Sequence, residues 1–391
     1  MKQENVALNN IPVGALGLIP MPGTEELGQK VNDHLVRWRN EEENDDYNHS
    51  FVGYHRDNYI LKVATPRFGS GEGKGILKES ARGYDIFLLC DVTNHSLTYK
   101  MFGEENHMSP DDHFQNVKRI IAALGGKAHR ITVIMPFLYE GRQHKRTTRE
   151  SLDCALALQE LVNMGVENII TFDAHDPRVQ NAIPLSGFET VTPSYQFIKG
   201  LLRSFDDLQI DSDHMIIVSP DEGGTNRAVY LANVFGLEIG MFYKRRDYST
   251  IVNGSNPIVA HEFLGSSLDG KDVIIIDDMI SSGGSILDVA AELKKRNANR
   301  IFVAATFGLF TNGLKKFDEA YDKGLIDKIL TTNLVYQSPE LLSKPWYTSC
   351  DMSKYIAFLV DKLNNDSSIS ELLNPYDKIQ TLVNNYKNNQ K

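Results

Sequence analysis

The sequence predicts an α/β protein: two similar Rossmann-like domains in tandem, each with a mainly parallel sheet. Short β-branched strands alternate with helix-patterned stretches along most of the chain, each strand ends at a polar or glycine-rich turn, and one helix-strand unit recurs. The expected strands are Tyr84–Leu89, Ile131–Met135, Ile169–Phe172, Met215–Val218, Val273–Ile276 and Ile301–Ala304. A helix running into Arg130-Ile-Thr-Val-Ile134 is echoed by one running into Arg300-Ile-Phe-Val-Ala304, about 170 residues further on. The stretch Gly165 to Thr171 is echoed by Gly324 to Thr331, about 160 residues on. Duplication accounts for both the order and the spacing of the echoes. The junction is expected near Val191 to Gln196, where Pro193 interrupts the pattern before a helix over Phe197–Phe205. That gives an N-terminal domain over 1–194, a C-terminal domain over 195–365, and a tail over 366–391 that reads as a peripheral, partly mobile helix.

The 391 residues have 41% hydrophobic and 24% charged content, which supplies apolar material for two cores and argues against wholesale disorder. The longest apolar runs, such as Val273–Ile276, are strand-sized, so no membrane span is expected. A net charge of −10 disfavours polyanion binding, which makes nucleic acid an unexpected partner. Cys90, Cys154 and Cys350 are few and unclustered, indicating buried thiols in a reducing compartment and no disulfide framework or zinc site. The polar start, Met1 to Asn10, has neither a basic nor an apolar signal region, which places the expectation in the cytoplasm. Glu41 to Asp46 reads as a solvated acidic loop, because consecutive charges fan outward without converging on a metal.

The strongest chemical signal is Val273-Ile-Ile-Ile-Asp-Asp-Met-Ile-Ser-Ser-Gly-Gly-Ser-Ile286, running into a helical Leu287 to Arg296. A buried strand delivers Asp277 and Asp278 to its carboxyl end, where open α/β sheets place their ligands. Ser281, Ser282, Gly283, Gly284 and Ser285 then form a small-residue turn at a helix N-terminus. Glycines admit close approach of backbone N–H groups to an anion, hydroxyls add donors, and the helix dipole favours negative charge. Two acids above a phosphate cup suit the hydroxyls of a sugar phosphate.

This stretch resembles the loop that binds 5-phosphoribosyl pyrophosphate (PRPP) in type I phosphoribosyltransferase folds. From about Pro20 to Ala357 the chain is similar to the ribose-phosphate pyrophosphokinases, with insertions relative to the usual family length. The resemblance implies two phosphoribosyltransferase-like domains, an ATP side and a ribose 5-phosphate side, and a magnesium requirement. Pro66-Arg-Phe-Gly-Ser-Gly-Glu72 resembles the family's F-x-x-x-E segment, which implies that Phe68 covers the adenine and Glu72 accepts from its amine in a neighbouring subunit's ATP site. The following Ser80-Ala-Arg-Gly-Tyr-Asp-Ile-Phe87 is similar to E-S-V-R-G-x-D-V-F. Gly141-Arg-Gln-His-Lys-Arg146 resembles A-R-Q-D-K-K, implying ATP contacts at Arg142 and Gln143, with His144 where an acid is common.

Further along, Asp173-Ala-His-Asp-Pro-Arg-Val-Gln180 resembles D-L-H-x-x-x-I-Q, which makes His175 an ATP-side magnesium ligand oriented by Asp173. Ser219-Pro-Asp-Glu-Gly-Gly-Thr-Asn-Arg227 resembles S-P-D-x-G-G-x-x-R, which makes Asp221 a ligand of a magnesium shared with the ribose hydroxyls. Tyr243-Lys-Arg-Arg246 ends a strand before a loop from Asp247 to Pro257, and Lys244 and Arg246 match the family's catalytic K-x-R pair. The chain departs from the family at Ser281, where an acid is usual in the cup, and at Thr306-Phe307-Gly-Leu-Phe310, where the family pattern is T-H-G-x-F.

The implied reaction converts ATP and ribose 5-phosphate to PRPP and AMP, and the implied assembly is a homo-oligomer in which dimer units build a hexamer. A PRPP-consuming phosphoribosyltransferase would explain the cup without the duplicated domain, the Arg142-Gln143 segment or the Lys-x-Arg pair. A non-catalytic regulatory subunit of the same fold would be supported by loss of catalytic cations or metal ligands, and none is lost.

Overall fold

A computed structural model describes residues 12–41, 51–246 and 258–389, and leaves the side chains of 244–261 undescribed. The acidic stretch after Glu41 and the loop 247–257 lie outside the described residues. Two compact units form. The first comprises 12–192 with 334–336 and 351–374, and the second comprises 193–333 with 337–350 and 375–389.

In the first unit β1 (Ala15–Pro20), β2 (Tyr84–Leu89), β3 (Arg130–Ile134), β4 (Asn168–Phe172) and β5 (Gly187–Val191) lie side by side in that order, all parallel. Alternating strand residues point to opposite faces. Ile86, Leu88, Ile131, Val133 and Ile169 meet the apolar stripes of helices Pro110–Leu124 and Asp153–Asn163 in one core. On the opposite face, Phe172 meets Tyr355 of helix Ser353–Asn364 edge to ring, with centroids 6.3 Å apart. That helix packs along helix Glu25–Glu41, where the buried Arg39 reaches Asp361 at 2.9 Å and Asn364 at 2.9 Å.

In the second unit β6 (Met215–Ser219), β7 (Glu238–Arg246), β8 (Ile258–Leu264), β9 (Asp272–Ile280), β10 (Ile301–Gly308), β11 (Lys328–Thr332) and β12 (Tyr347–Cys350) form one sheet. Their order is β8-β7-β6-β9-β10-β11-β12, parallel except for the antiparallel edge pair β7–β8. Chain order runs outward from β6 to one edge and then resumes beside β6 at β9. The β6/β9 boundary is therefore a topological switch point, where such sheets open a crevice at their carboxyl ends. Helices Gly284–Lys295 and Lys315–Asp322 cover one face through Ile286, Val289, Leu293 and Phe317. Helices Ser194–Ser204 and Thr225–Phe235 cover the other through Phe197, Leu201, Ala228 and Leu231.

The duplication is visible atom by atom. Arg130 forks onto Asp85 at 2.9 and 2.8 Å, joining the starts of β3 and β2, and Arg300 forks onto Asp272 at 3.1 and 2.6 Å, joining the starts of β10 and β9. Both carboxylates are buried, where a bidentate, charge-assisted pair is strong and loss of one partner strands a charge. Gly165 and Gly324 both end a helix in the left-handed region, at φ 90° and 65°, before β4 and β11. Glu167 N–H then donates to Ile131 O and Asp327 N–H to Ile301 O, at 3.0 and 2.8 Å.

Several expectations need correction. Residues 195–365 do not form one compact body, because helix Ser353–Asn364 returns to the first unit through Asp361 and Asn364. The tail 366–391 is divided, its last helix (Tyr376–Asn389) being anchored on the second unit by Tyr386, whose hydroxyl donates to Phe205 O at 2.7 Å. Strand β9 runs on to Ile280, so Asp277 and Asp278 are strand residues. The helix after the cup starts at Gly284, and the helix after Pro193 starts at Ser194.

Candidate functional site

In the second unit, the carboxyl ends of β6 and β9 come together because the strands pair from Met215↔Asp272 to Val218↔Ile275. Beyond β6 the turn Ser219–Gly224 is self-braced: Ser219 Oγ donates to Asp221 O at 2.7 Å, and Gly224 N–H donates to the Asp221 carboxylate at 3.2 Å. A Cβ on Gly224 would sit 2.8 Å from Ser219 Oγ, so glycine leaves room for the Ser219 hydroxyl to brace this turn. Asp221 is thus held half-buried beside Asp277 and Asp278, with Arg227 reaching Asp278 at 3.7 Å.

The two β9 acids are uphill as a pair. Burial pushes the Asp277 carboxyl well above the usual carboxylate range, and the adjacent charge of Asp278 and that of Asp221 add to the effect. A cation brought beside the pair would offset that charge repulsion. Arg227 was part of the sequence motif with no role attached. Its place one helical turn into Thr225–Phe235 is what turns it toward β9.

Next along β9 comes the cup. Gly283 has φ 81°, and a Cβ there would lie 2.1 Å from Cζ of the fully buried Phe317. It caps helix Gly284–Lys295 with no side-chain hydrogen bond to the first turn. The position of a Cβ on Gly284 meets nothing nearer than Ser282 Oγ at 3.9 Å. Ser282 and Ser285 are exposed, and Ser281 is half-buried with its carbonyl accepting from Thr311 N–H at 3.0 Å. The space beside Gly284 at this helix start is open, with the exposed hydroxyls of Ser282 and Ser285 nearby, and helix starts in general favour anions. Phe307, by contrast, is buried in β10.

In the first unit, β3 and β4 are adjacent parallel strands, so their carboxyl-end loops lie side by side. After β4, buried Asp173 takes φ 43° and its N–H donates to Val191 O at 2.7 Å, throwing His175 outward to an exposed position. After β3, the segment Gly141–Arg146 brings the His144 ring to 5.3 Å from the His175 ring and its Nε2 to 3.6 Å from Asp176. Hydrogen bonds from Arg178 hold the Asp176 carboxyl far below the usual range. Arg142 is exposed, whereas Gln143 closes its own loop by donating to Ser151 O at 3.0 Å.

Phe68 and Glu72 span a tight turn in which Phe68 N–H donates to Glu72 O at 2.7 Å and Gly71 N–H to Phe68 O at 2.9 Å. Phe68 is 55% exposed, and Ser70 Oγ donates to the Glu72 carboxylate at 2.8 Å. Lys244 and Arg246 lie at the carboxyl end of β7, the strand beside β6, and the backbone alone is described there. All three cysteines are buried free thiols.

A doubly wound sheet with carboxylates and an open helix N-terminus at its switch point defines a phosphoribosyltransferase-type domain. The family model described as phosphoribosyl transferase domain matches residues 189–344, and that described as the N-terminal domain of ribose phosphate pyrophosphokinase matches residues 16–165. The chain belongs to the ribose-phosphate pyrophosphokinase family. Among its relatives, ribose-phosphate pyrophosphokinase of Vibrio parahaemolyticus is 28% identical over 319 residues, 80% of this chain and 91% of the relative. That of Mycoplasma genitalium is 29% identical over 283 residues, 71% and 76% of the two chains. The crystal structure of phosphoribosylpyrophosphate synthetase from Mycobacterium smegmatis shares the fold, with a TM-score of 0.69 and 22% identity over 90% of this chain and 99% of that one.

Proposed function

We propose that the chain transfers the diphosphoryl group of ATP to the 1-hydroxyl of ribose 5-phosphate, giving PRPP and AMP, and that it acts in the cytoplasm. The observation that carries this reading is the pairing of a pyrophosphokinase N-terminal domain with a second unit whose switch point holds Asp221, Asp277, Asp278 and the open Gly284 helix start. A transferase that consumes PRPP would need the second unit alone.

In this reading the 5-phosphate rests on the N–H groups and hydroxyls of Ser281, Ser282, Gly283, Gly284 and Ser285, while Asp277 and Asp278 accept from the ribose hydroxyls. The sugar's 1-hydroxyl attacks the β-phosphorus and gives up its proton to solvent, the bond from that phosphorus to the oxygen bridging to the α-phosphate breaks, and AMP departs with the electron pair. Lys244 and Arg246 face the charge that builds on the transferring group and on AMP. Arg142 and Gln143 receive the nucleotide, for which Gln143 exchanges its bond to Ser151. Phe68 covers the adenine of a neighbouring copy's site, with Glu72 on its amine, in a dimer-based homo-oligomer.

Asp221 carries the carboxylate oxygens that magnesium prefers. Among the described residues no group of three or more ligating side chains is assembled, and Mg²⁺ takes one or two protein ligands with substrate phosphates and water completing its shell. His175 would hold a magnesium ion on the ATP side and Asp221 one shared with the ribose hydroxyls, and these ions would screen phosphate charge. The test is to incubate the protein with ATP, Mg²⁺ and ribose 5-phosphate and follow AMP. Sugar-dependent AMP is expected, and ATP hydrolysis indifferent to the sugar would overturn the reading.

A further inference from the structure

Beside the Phe68 turn stands a projecting hairpin, Thr98–Met101 paired with Glu104–His107, whose two-residue turn is Phe102-Gly103. Both turn residues have positive φ, 51° and 86°, the geometry that suits right-handed strand twist and that asparagine, aspartate or glycine adopts at least cost. A phenylalanine at the first position is strained there, and its side chain is 82% exposed. Backbone strain combined with an exposed large apolar ring serves neither folding nor solubility.

The turn is tied to the Phe68 loop from three sides. Phe102 N–H donates to Gly69 O at 2.8 Å, which sets Phe102 against the residue following Phe68. Gly71 is pressed on Met101, so closely that a Cβ would lie 2.6 Å from its sulfur. Arg67 stacks over Tyr99 at 4.6 Å while donating to Gly71 O at 3.0 Å and to Asp112 at 2.9 Å, which pins hairpin, loop and helix Pro110–Leu124 together. The two exposed aromatics, Phe68 and Phe102, are therefore carried on one braced platform.

We propose that Phe102 is a second base-stacking residue, set by the hairpin beside Phe68 to enlarge the aromatic surface over the adenine of ATP. The inference rests on Phe68 being the base cover. It adds a residue whose contact is to the ring face, so it acts on nucleotide affinity and not on the sugar.

The experiment compares full-length Phe102→Ala, Phe102→Trp, Phe102→Gly and Phe68→Ala in steady-state saturation with ATP and, separately, with ribose 5-phosphate. Stacking on an aromatic ring predicts that Phe102→Ala raises half-saturating ATP at least about fivefold, with ribose 5-phosphate saturation moved less than about twofold. Phe102→Trp should restore ATP saturation. Phe102→Gly should show the same ATP defect together with an unchanged or higher melting temperature, because glycine relieves the positive φ. An unchanged ATP response in Phe102→Ala, with a raised one in Phe68→Ala, would overturn the role of Phe102 and leave the base-cover reading standing. No change in either variant would overturn both. A Phe102→Ala protein of lower oligomer mass by sedimentation would also overturn it, by showing that the ring packs against protein.

Discussion

Adjacent glycines in the cup should fail in opposite ways, and the structure gives the size of each failure. At Gly283 a methyl group meets two obstacles. The left-handed φ of 81° costs an L-residue about 1–2 kcal/mol. The new Cβ would also fall 2.1 Å from Phe317, which cannot yield because it is fully buried between Phe310 and Trp346, at ring distances of 5.0 and 5.7 Å. Overpacking of that kind costs about 1–3 kcal/mol. Gly283→Ala should therefore lose about 2–5 kcal/mol of stability, a large share of what a domain has. At Gly284 the added side chain enters open space and helix propensity changes by less than about 1 kcal/mol, so Gly284→Val should fold normally. Its methyl groups would stand where the 5-phosphate is proposed to sit, raising half-saturating ribose 5-phosphate by about tenfold or more. Urea unfolding followed by circular dichroism and sugar saturation kinetics read the two effects independently. Gly284→Val with normal sugar saturation would remove the 5-phosphate from this helix start, and Gly283→Ala with native stability would show that Phe317 does not confine the turn.

Three further outcomes follow from the same geometry. Asp277 has a raised pKa in the fold, so its stabilising contribution is complete at low pH and disappears as pH rises through the folded value. In metal-free, sugar-free protein Asp277→Asn should melt higher than wild type at pH 8, the gap should narrow toward pH 4, and sugar saturation should be lost. Lys244→Ala should lower kcat by about 10²–10³ with a smaller effect on sugar saturation, as expected of a cation that acts on transition-state charge; near-native kcat with weakened ATP binding would reduce it to a docking group. His175→Ala should raise the magnesium concentration for half-maximal rate while leaving the melting temperature unchanged, His175 being exposed; an unaltered magnesium titration would remove the assignment.

Much of the second unit is legible from sequence because its chemistry is local. The apolar run Val273–Ile276, two acids and a Ser-Gly-Gly turn follow one another within a single strand-turn-helix unit. The duplication also shows, since Arg130 and Arg300 start equivalent strands. What the residues leave hidden are their partners. Asp85 stands in the Ser80–Phe87 segment and Asp272 just before an apolar run, but nothing local tells that each pairs with an arginine at the start of the next strand. The return of helix Ser353–Asn364 to the first unit depends on Asp361 and Asn364 meeting Arg39, a contact across most of the chain. The hairpin Thr98–His107 escapes because each strand has only four residues, the second is polar and largely exposed, and the turn lacks the usual asparagine. Strand β9 outruns its expected end because Asp277 and Asp278 look like loop residues, yet the ladder to β10 continues through Ile280↔Gly308.

Whether an intact diphosphoryl group is transferred shows in the fate of the β-phosphorus of ATP. With ATP labelled at the β-phosphorus, magnesium and ribose 5-phosphate, label is expected in the diphosphate on C1 of the sugar, with AMP unlabelled. Label recovered in ADP, or in free phosphate or diphosphate without a sugar product, would contradict such a transfer.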